Sequence, residues 1–254
     1  MRLRMSMLTV SLAAMLVIPS AFAQSAGTSL ATIQNFNYEL IDLMPSDGIA
    51  PSVELSSGQR SAEANLFSYP DGRLIAHSLT LNYGSVEVSV AGSTAQSSFA
   101  PQTARSEAGA VIATFAEATA FDTIDFVLSP HARLIFSGDA HVAVQQNLAG
   151  NVYARAMISG EIPSSPLLST RTQFSSSVES ALGENSQMLS VAVNSGVEEA
   201  VGYVQLSTVA QALSSIPAIA EPSAALMICA GLGLLTLARE CRRLRNSTAA
   251  PTTA

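Results

Sequence analysis

Strict alternation of apolar and polar residues recurs along this 254-residue chain and constrains its fold more than any other feature. The clearest run is residues 86–90 (VEVSV), and shorter or similar runs occupy residues 36–40, 79–83, 134–136, 142–144, 189–193 and 201–203. A period of two places successive side chains on opposite faces of an extended strand, as in a sheet with one buried face. The fold class is therefore predicted to be all-β.

Turn-forming residues separate these runs. Gly, Asn, Asp and Ser cluster at residues 46–48, 69–72, 82–84, 137–139 and 194–196, where they favour tight turns. Residues 108–120 fit a helix and a strand equally well, because Val111, Ile112, Thr114 and Phe115 favour a strand. The spacing suits a single β-sandwich or jelly roll of about nine or ten strands. We predict that this body covers residues 24–210 and is followed by a linker over residues 211–219.

Charge is distributed unevenly along the chain. There is no lysine, and all 12 basic residues are arginine. Residues 24–220 carry six arginines against 17 Asp and Glu, a formal charge of −11, whereas both ends are positive. Such an acidic body repels phosphate backbones, so nucleic acid is not an expected partner. The two cysteines lie at residues 229 and 241, outside the body, which therefore has no disulfide to stabilise it.

The first 23 residues have the organisation of a signal peptide. Arg2 and Arg4 precede an apolar run of about a dozen residues, too short for a membrane-spanning helix. Ala21 and Ala23 then provide the small side chains that signal peptidase requires. Gln24 is thus the predicted N-terminus of the mature protein, and an uncleaved N-terminal anchor is the alternative.

The end of the chain resembles a membrane anchor. Glu221 and Pro222 precede 16 uncharged residues, 223–238, which as a helix would extend about 24 Å, slightly less than a typical hydrocarbon core. An arginine cluster follows directly, at Arg239, Arg242, Arg243 and Arg245. By the positive-inside rule, residues 246–254 form a disordered cytoplasmic tail and the body lies outside the cytoplasm. We predict a transmembrane helix over residues 223–238, and an ordinary single-pass anchor is one form of it.

An acidic-proline motif, an apolar helix and an arginine cluster in this order resemble the PEP-CTERM sorting domain of Gram-negative bacteria. The resemblance covers residues 220–245, including the AGLGLL pattern at residues 230–235, although Ala220 replaces the first proline of the usual Pro-Glu-Pro. Residues 38–52 and 128–137 are also similar to segments of secreted PEP-CTERM proteins that bring no known activity. The resemblance implies processing by exosortase, a membrane protease-transpeptidase. It implies a protein first anchored in the inner membrane and then placed at the cell surface or outside the cell.

An acidic turn at Asp42, Asp47 and Gly48 admits two interpretations. Carboxylates in a glycine-containing loop are calcium ligands, and Asp71 and Asp139 are turn residues that would join them from elsewhere in the fold. Against calcium, Met44 occupies a position that needs an oxygen ligand in an EF-hand-type loop. The other interpretation, which the pattern favours, is that aspartate precedes glycine for turn geometry.

Catalytic motifs are lacking in the sequence. It contains no Gly-x-Ser-x-Gly, His-Glu-x-x-His, P-loop or Gly-x-Gly-x-x-Gly pattern. The histidines, His77, His131 and His141, would have to converge to form a metal or catalytic site, and His131 and His141 flank one predicted strand and turn. A glycosidase pair would have to come from Glu63, Glu87, Glu117 and Asp125, which sequence alone does not pair. No enzymatic activity, cofactor or metal is therefore predicted.

These observations predict an exported structural or interaction protein of the cell envelope or extracellular matrix. The alternative is a β-sandwich module that binds extracellular polysaccharide, with or without calcium at Asp42 and Asp47. Sparse aromatic residues, 6% of the chain with no tryptophan, favour the first interpretation.

Overall fold

A computed structural model describes residues 27–111, 113–146, 150–163 and 171–214. These residues form strands and turns, with no helix among them, so the predicted all-β class is confirmed. The predicted signal peptide and the predicted sorting tail lie outside the described residues.

The described residues form twelve strands, more than the nine or ten expected. Their bounds are β1 Gly27–Asp42, β2 Val53–Ser68, β3 Leu74–Thr80, β4 Gly84–Val90, β5 Ser93–Ala100, β6 Thr103–Ala110, β7 Thr114–Leu128, β8 Ala132–Gln145, β9 Gly150–Pro163, β10 Arg171–Ser180, β11 Gly183–Asn194 and β12 Ala200–Ser214. The ambiguous segment 108–120 is thus part of two strands, β6 and β7, and not a helix.

The strands form two six-stranded antiparallel sheets. Sheet A has the order β11-β8-β1-β6-β5-β4, and sheet B has the order β10-β9-β12-β7-β2-β3. One face of each sheet packs on the other around a shared apolar core, as predicted for a β-sandwich. The connections β3–β4 and β10–β11 each pass from one sheet to the other at the edges.

Three local predictions were wrong. Residues 137–139 lie inside β8 and not in a turn; Gly138 stands where an added Cβ would be 3.0 Å from Ile33 Cγ2, so the glycine serves close packing. The alternating run predicted at residues 79–83 is strand only to Thr80, where β3 ends, and residues 81–83 form a turn to β4, close to the turn predicted at 82–84. Strand β12 continues to Ser214, four residues into the predicted linker, because Gln211 pairs with Glu117 on one side and Tyr153 on the other.

The core changes in character along the strands. In β7 the inward residues of the first half are small (Ala116, Ala118 and Ala120), whereas those of the second half are Phe126 and Leu128; all are essentially buried. Phe126 and Phe136 lie with ring centroids 5.9 Å apart, and Phe136 also stacks on Phe36. Most of the large apolar side chains are therefore gathered toward one end of the sandwich.

Hydroxyl groups connect the two sheets where the core side chains are small. The Ser106 hydroxyl on β6 lies 2.8 Å from that of Thr208 on β12 and also donates to the Thr208 carbonyl at 3.2 Å. Ser97 on β5 donates to the Thr119 carbonyl on β7 at 2.6 Å. Ser106 and Thr208 are completely buried, and a buried hydroxyl needs such partners. The Ser, Thr and Ala content of the strands thus allows polar contacts across a closely packed interface.

Candidate functional site

The outer face of sheet B carries a concentration of aromatic side chains. Because Ala116, Ala118 and Ala120 point into the core, Phe115, Glu117, Thr119 and Phe121 point outward from the same strand. Register places Phe67 of β2 and Leu213 of β12 directly beside Phe115. The rings of Phe67 and Phe115 stack with centroids 5.7 Å apart. We call Phe67, Phe115 and Leu213 the phenylalanine ledge; all three side chains are partly exposed.

A hydrogen-bonded group of polar side chains adjoins the ledge on strands β2 and β3. His77 Nδ1 lies 2.7 Å from Asn65 Oδ1, and Asn65 Nδ2 donates to Glu63 Oε1 at 2.9 Å. His77 Nδ1 is 3.7 Å from the same carboxylate oxygen of Glu63. Asn65 is buried despite lying on the outer face, so its amide fixes the positions of the two flanking side chains.

A second amide–carboxylate pair lies on strands β7 and β12. Gln211 Nε2 donates to Glu117 Oε1 at 2.7 Å, and Gln211 stands opposite Tyr153 of β9. The Tyr153 hydroxyl in turn donates to Glu179 Oε2 at 2.7 Å. Burial raises the pKa of the Tyr153 hydroxyl, and the bond to Glu179 raises it further, so Tyr153 stays a donor. Polar side chains thus extend across the sheet beside the ledge.

The ledge forms one wall of an open recess of about 320 Å³. Its lining includes the three ledge residues, Tyr69 and Glu117. Tyr69 is 40% exposed at the turn that follows β2. An apolar floor with a few convergent polar groups is the usual composition of a small-molecule site.

Of the four carboxylates predicted as possible glycosidase residues, the structure brings two together. Glu63 pairs with Thr119, and Asn65 pairs with Glu117, so Glu63 and Glu117 are diagonal neighbours, about 7–8 Å apart at their Cα atoms. Asp125 lies on the same face but eight residues along β7, about 26 Å from Glu117. Glu87 is on β4 of the other sheet.

The histidines do not converge. His131 occupies the turn before β8 and His141 lies ten residues further on, about 33 Å away along the strand. His141 contacts Ser186 at 2.9 Å and Glu184 at 3.7 Å, whereas His77 belongs to the outer face of sheet B. Residues 137–139 lie within β8 and form no turn. The strand therefore runs without interruption and holds His141 far from His131.

Asp42 and Asp47 have the geometry of turn-forming residues, as the sequence pattern favoured over calcium ligands. Asp42 Oδ1 accepts a hydrogen bond from the Met44 backbone N–H, and Asp47 Oδ1 accepts one from the Ile49 N–H, both at 2.8 Å. Each carboxylate therefore closes its own turn. Of the two distant candidates, Asp71 accepts a hydrogen bond from the Arg73 backbone N–H at 3.5 Å, and Asp139 accepts one from the Asn35 amide at 2.9 Å. Within the described ranges, no three His, Cys, Asp or Glu side chains are arranged to hold a metal ion.

Sequence reasoning missed Phe67, Asn65, Phe115 and Gln211 as functional candidates. Each occupies a polar or outward position of an alternating strand, where it is not distinguishable from an ordinary surface residue. Strands β2 and β7, which join Phe67 to Phe115, are about 50 positions apart in the chain. The one signal in the sequence was that the outward-facing positions of both strands include aromatic residues.

The predicted signal and sorting residues lie outside the described part of the chain. They are Ala21, Ala23, Gln24, Glu221, Pro222, Arg239, Arg242, Arg243 and Arg245. Within the described ranges, no helix has the length and apolar character needed to cross a membrane.

Comparison with known proteins places the chain in no family. A scan against models of known protein families finds no match, and a search of curated proteins finds none either. Among solved structures, the chain is similar to the N-terminal CBM22-1-CBM22-2 tandem domain from Paenibacillus barcinonensis Xyn10C at 9% identity. That alignment covers 75% of this chain and 79% of the other with a TM-score of 0.16, a value too low to establish a shared fold.

Proposed function

We propose that this chain is an exported protein of the bacterial cell envelope or extracellular matrix whose sandwich body binds polysaccharide on the outer face of sheet B. The observation that carries the proposal is the phenylalanine ledge beside the Glu63–Asn65–His77 group and the Glu117–Gln211 pair. The few aromatics of the chain, which from sequence argued against sugar binding, include several on this one face.

The chemistry of the face matches that of a sugar chain. A pyranose ring has C–H groups on its flat faces and hydroxyls around its edge. The flat C–H faces pack on the half-buried rings of Phe67 and Phe115, which contribute apolar area at little cost in side-chain entropy. The hydroxyls both donate and accept hydrogen bonds, as do the amides of Asn65 and Gln211, while Glu63 and Glu117 accept.

Binding, and not hydrolysis, is the proposed activity of this face. A glycosidase needs one carboxylic acid held protonated so that it can donate a proton to the leaving group. Glu63 and Glu117 each accept a hydrogen bond from an amide N–H, so each carboxylate acts here as an acceptor. An open recess also leaves water free to compete in any proton transfer.

Export and sorting are the second part of the proposal, and they rest on the sequence alone. Residues 1–23 direct export, residues 223–238 hold the body outside the membrane, and exosortase is the proposed partner that processes the chain near Glu221 and Pro222. A glycan-binding body suits a protein that is delivered to a polysaccharide-rich surface.

Sugar binding is tested with the full-length protein and the extracellular polysaccharide of the producing bacterium, by sedimentation and calorimetry. Phe115→Ala and Gln211→Ala should each weaken binding about tenfold, the effect of losing one aromatic or polar anchor of 1–2 kcal/mol. Tyr38→Ala is the matched control, since Tyr38 is 50% exposed on β1 of sheet A. Unchanged affinity in the Phe115 and Gln211 variants, with melting temperatures as in wild type, would rule out this face.

Sorting is tested by two sets of substitutions in a host with exosortase. Replacing Arg239, Arg242, Arg243 and Arg245 with serine should weaken membrane retention, because a charged cluster resists transfer through hydrocarbon. Replacing Glu221 and Pro222 with alanine should leave retention intact and block maturation. Maturation that proceeds without Glu221 and Pro222 would reduce the tail to a plain anchor and remove exosortase as a partner.

A further inference from the structure

A partly buried arginine lies beside an irregularity in strand β2. The register between β2 and β7 shifts between Ser57 and Arg60, and beyond the shift Arg60 stands opposite Asp122. Arg60 Nε is 3.5 Å from Asp122 Oδ1, and the two side chains are only 15% and 6% exposed. Asp122 belongs to the inward phase of β7. The shift therefore places an ion pair between the sheets at their edge.

Aromatic rings fix the guanidinium group. The Arg60 Cζ atom lies 4.1 Å from the centroid of the Tyr83 ring, which is cation–π distance. Tyr83 stacks on Phe99 at 5.5 Å with nearly parallel planes, and Phe99 is buried. Arg60 is thus held in one orientation by a carboxylate and by a ring that is itself supported.

Arg60 has N–H donors that no described protein group occupies. A guanidinium group carries five N–H donors, yet within the described ranges Arg60 makes only the ion pair with Asp122 and the contact with Tyr83. The Nε–Oδ1 separation of 3.5 Å is long for a hydrogen bond, and Asp122 Oδ1 is sealed from solvent without a hydrogen-bond partner. The arginine nitrogens are not sealed in this way. A guanidinium group that is held in place by its neighbours and keeps accessible N–H donors is preorganised to bind an acceptor group of a ligand.

Arg60 borders a recess of about 540 Å³ beyond the end of β3. Its other walls are Ser57, Gln59, Leu81, Asn82 and Phe121. Two amides and a hydroxyl suit the edge of a sugar ring, whereas Leu81 and Phe121 suit its face. Phe121 points outward from β7 six residues after Phe115, about 20 Å along the strand. A glycan that lies on the phenylalanine ledge can therefore reach this recess.

We propose that the recess binds the carboxylate of a uronic acid residue within an extracellular polysaccharide. This inference deepens the proposed function and rests on it for the identity of the ligand as a sugar. The planar guanidinium fork of Arg60 matches a carboxylate in two parallel hydrogen bonds. The body as a whole carries a charge of −11 and repels dense polyanions at long range. The site therefore selects glycans in which uronic acids are spaced among neutral sugars.

The test compares galacturonate with its methyl ester, which keeps the ring and lacks the charge, by calorimetry on the full-length protein. Galacturonate should bind about tenfold or more tightly than the ester, the effect of a hydrogen-bonded charge pair. The double variant Arg60→Gln/Asp122→Asn, which removes both buried charges together, should abolish this preference. Arg60→Lys should reduce it, because lysine keeps the charge and loses the fork. Arg105→Gln, which removes an exposed arginine paired with Glu107 on sheet A, should leave it unchanged.

Gln59→Ala and Asn82→Ala keep the ion pair intact and should each weaken galacturonate binding several-fold, so the test does not depend on the folding of the double variant. Equal binding of acid and ester, or a preference that survives in the double variant, would overturn the uronate site while Phe115-dependent polysaccharide binding stands. Displacement of galacturonate by equimolar inorganic phosphate would show a general anion site and also overturn the assignment. Galacturonate binding without any polysaccharide binding would instead refute the proposed function and retain the recess.

Discussion

Removing the Ser106 hydroxyl should cost more stability than removing both hydroxyls of the bridge between the sheets. In wild type, Ser106 Oγ lies 2.8 Å from Thr208 Oγ1 and 3.2 Å from the Thr208 carbonyl, and both residues have zero exposure. Ser106→Ala leaves the Thr208 hydroxyl buried with no partner among the described residues. An orphaned buried hydroxyl costs about 1–3 kcal/mol in the free energy of unfolding.

The matched variants isolate this cost. Thr208→Val is nearly isosteric and leaves Ser106 able to donate to the Thr208 carbonyl, so we expect a smaller loss, about 1 kcal/mol or less. The double variant Ser106→Ala/Thr208→Val replaces both polar groups by apolar ones, which is nearly neutral in a packed interior. The expected interaction energy between the two substitutions is therefore about 1–2 kcal/mol, favouring the double variant.

Urea denaturation of the full-length protein, followed by intrinsic tyrosine fluorescence and circular dichroism, measures these differences with a common slope. Ser97→Ala is a useful reference, because Ser97 donates to a backbone carbonyl of Thr119 and leaves no side-chain hydroxyl behind. Strict additivity, with the double variant losing the sum of the two single losses, would refute the argument that the hydroxyls satisfy each other. The sheets would then be held together by packing alone at this position.

Further expectations concern packing, pH and export. Gly202→Ala should lower the free energy of unfolding by about 1–3 kcal/mol in a urea titration, because its Cβ would lie 2.8 Å from Phe126 Cζ; Gly196→Ala, with nothing within 4 Å, should have no such effect. Burial raises the pKa of Asp122 above the usual 3.8 against the opposing effect of Arg60. Between about pH 3.8 and that raised pKa, the folded chain therefore binds more protons than the unfolded chain, and the free energy of unfolding should fall as pH rises through this window. Melting curves of Asp122→Asn should lack this pH-dependent fall. A pH profile of Asp122→Asn identical to that of wild type would contradict the argument. N-terminal sequencing of the exported protein should begin at Gln24, and a retained Met1 would show that the leader is not cleaved.

Much of the fold follows from local pattern, but its connections do not. The run at residues 86–90 lies within β4 and the turn at 194–196 follows β11, because alternation and turn residues act within a few positions. The turn predicted at 137–139 failed, since Gly138 is required by Ile33, a residue more than 100 positions away. A glycine that marks a turn and one that permits close packing look the same in sequence.

The candidate site likewise combines features that are visible locally in the sequence with features that depend on distant residues. Glu63 and Glu117 were selected as carboxylates from the sequence, and their approach depends on the register of β2 against β7. The Arg60 recess had one local signal, Gly58 inside a strand-like segment, where an added Cβ would lie 2.9 Å from the Thr123 carbonyl oxygen. No neighbouring residue identifies Asp122 as the buried partner of Arg60. Asp122 is known to point inward only once Ala116, Ala118 and Ala120 of the same strand are placed in the core.

The place of β12 in sheet B determines how the body would bear mechanical load. This strand is the last described before the predicted tail, and it pairs along its 15 residues with β7 on one side and along most of its length with β9 on the other. A load that pulls Ser214 along the direction of β12 would be opposed by the hydrogen bonds to both neighbouring strands. Many hydrogen bonds would then be sheared at once, whereas an edge strand pulled sideways would be peeled away bond by bond. Under the proposed function, a tether that continues from the middle of a sheet would resist such a load better than one that continues from an edge strand.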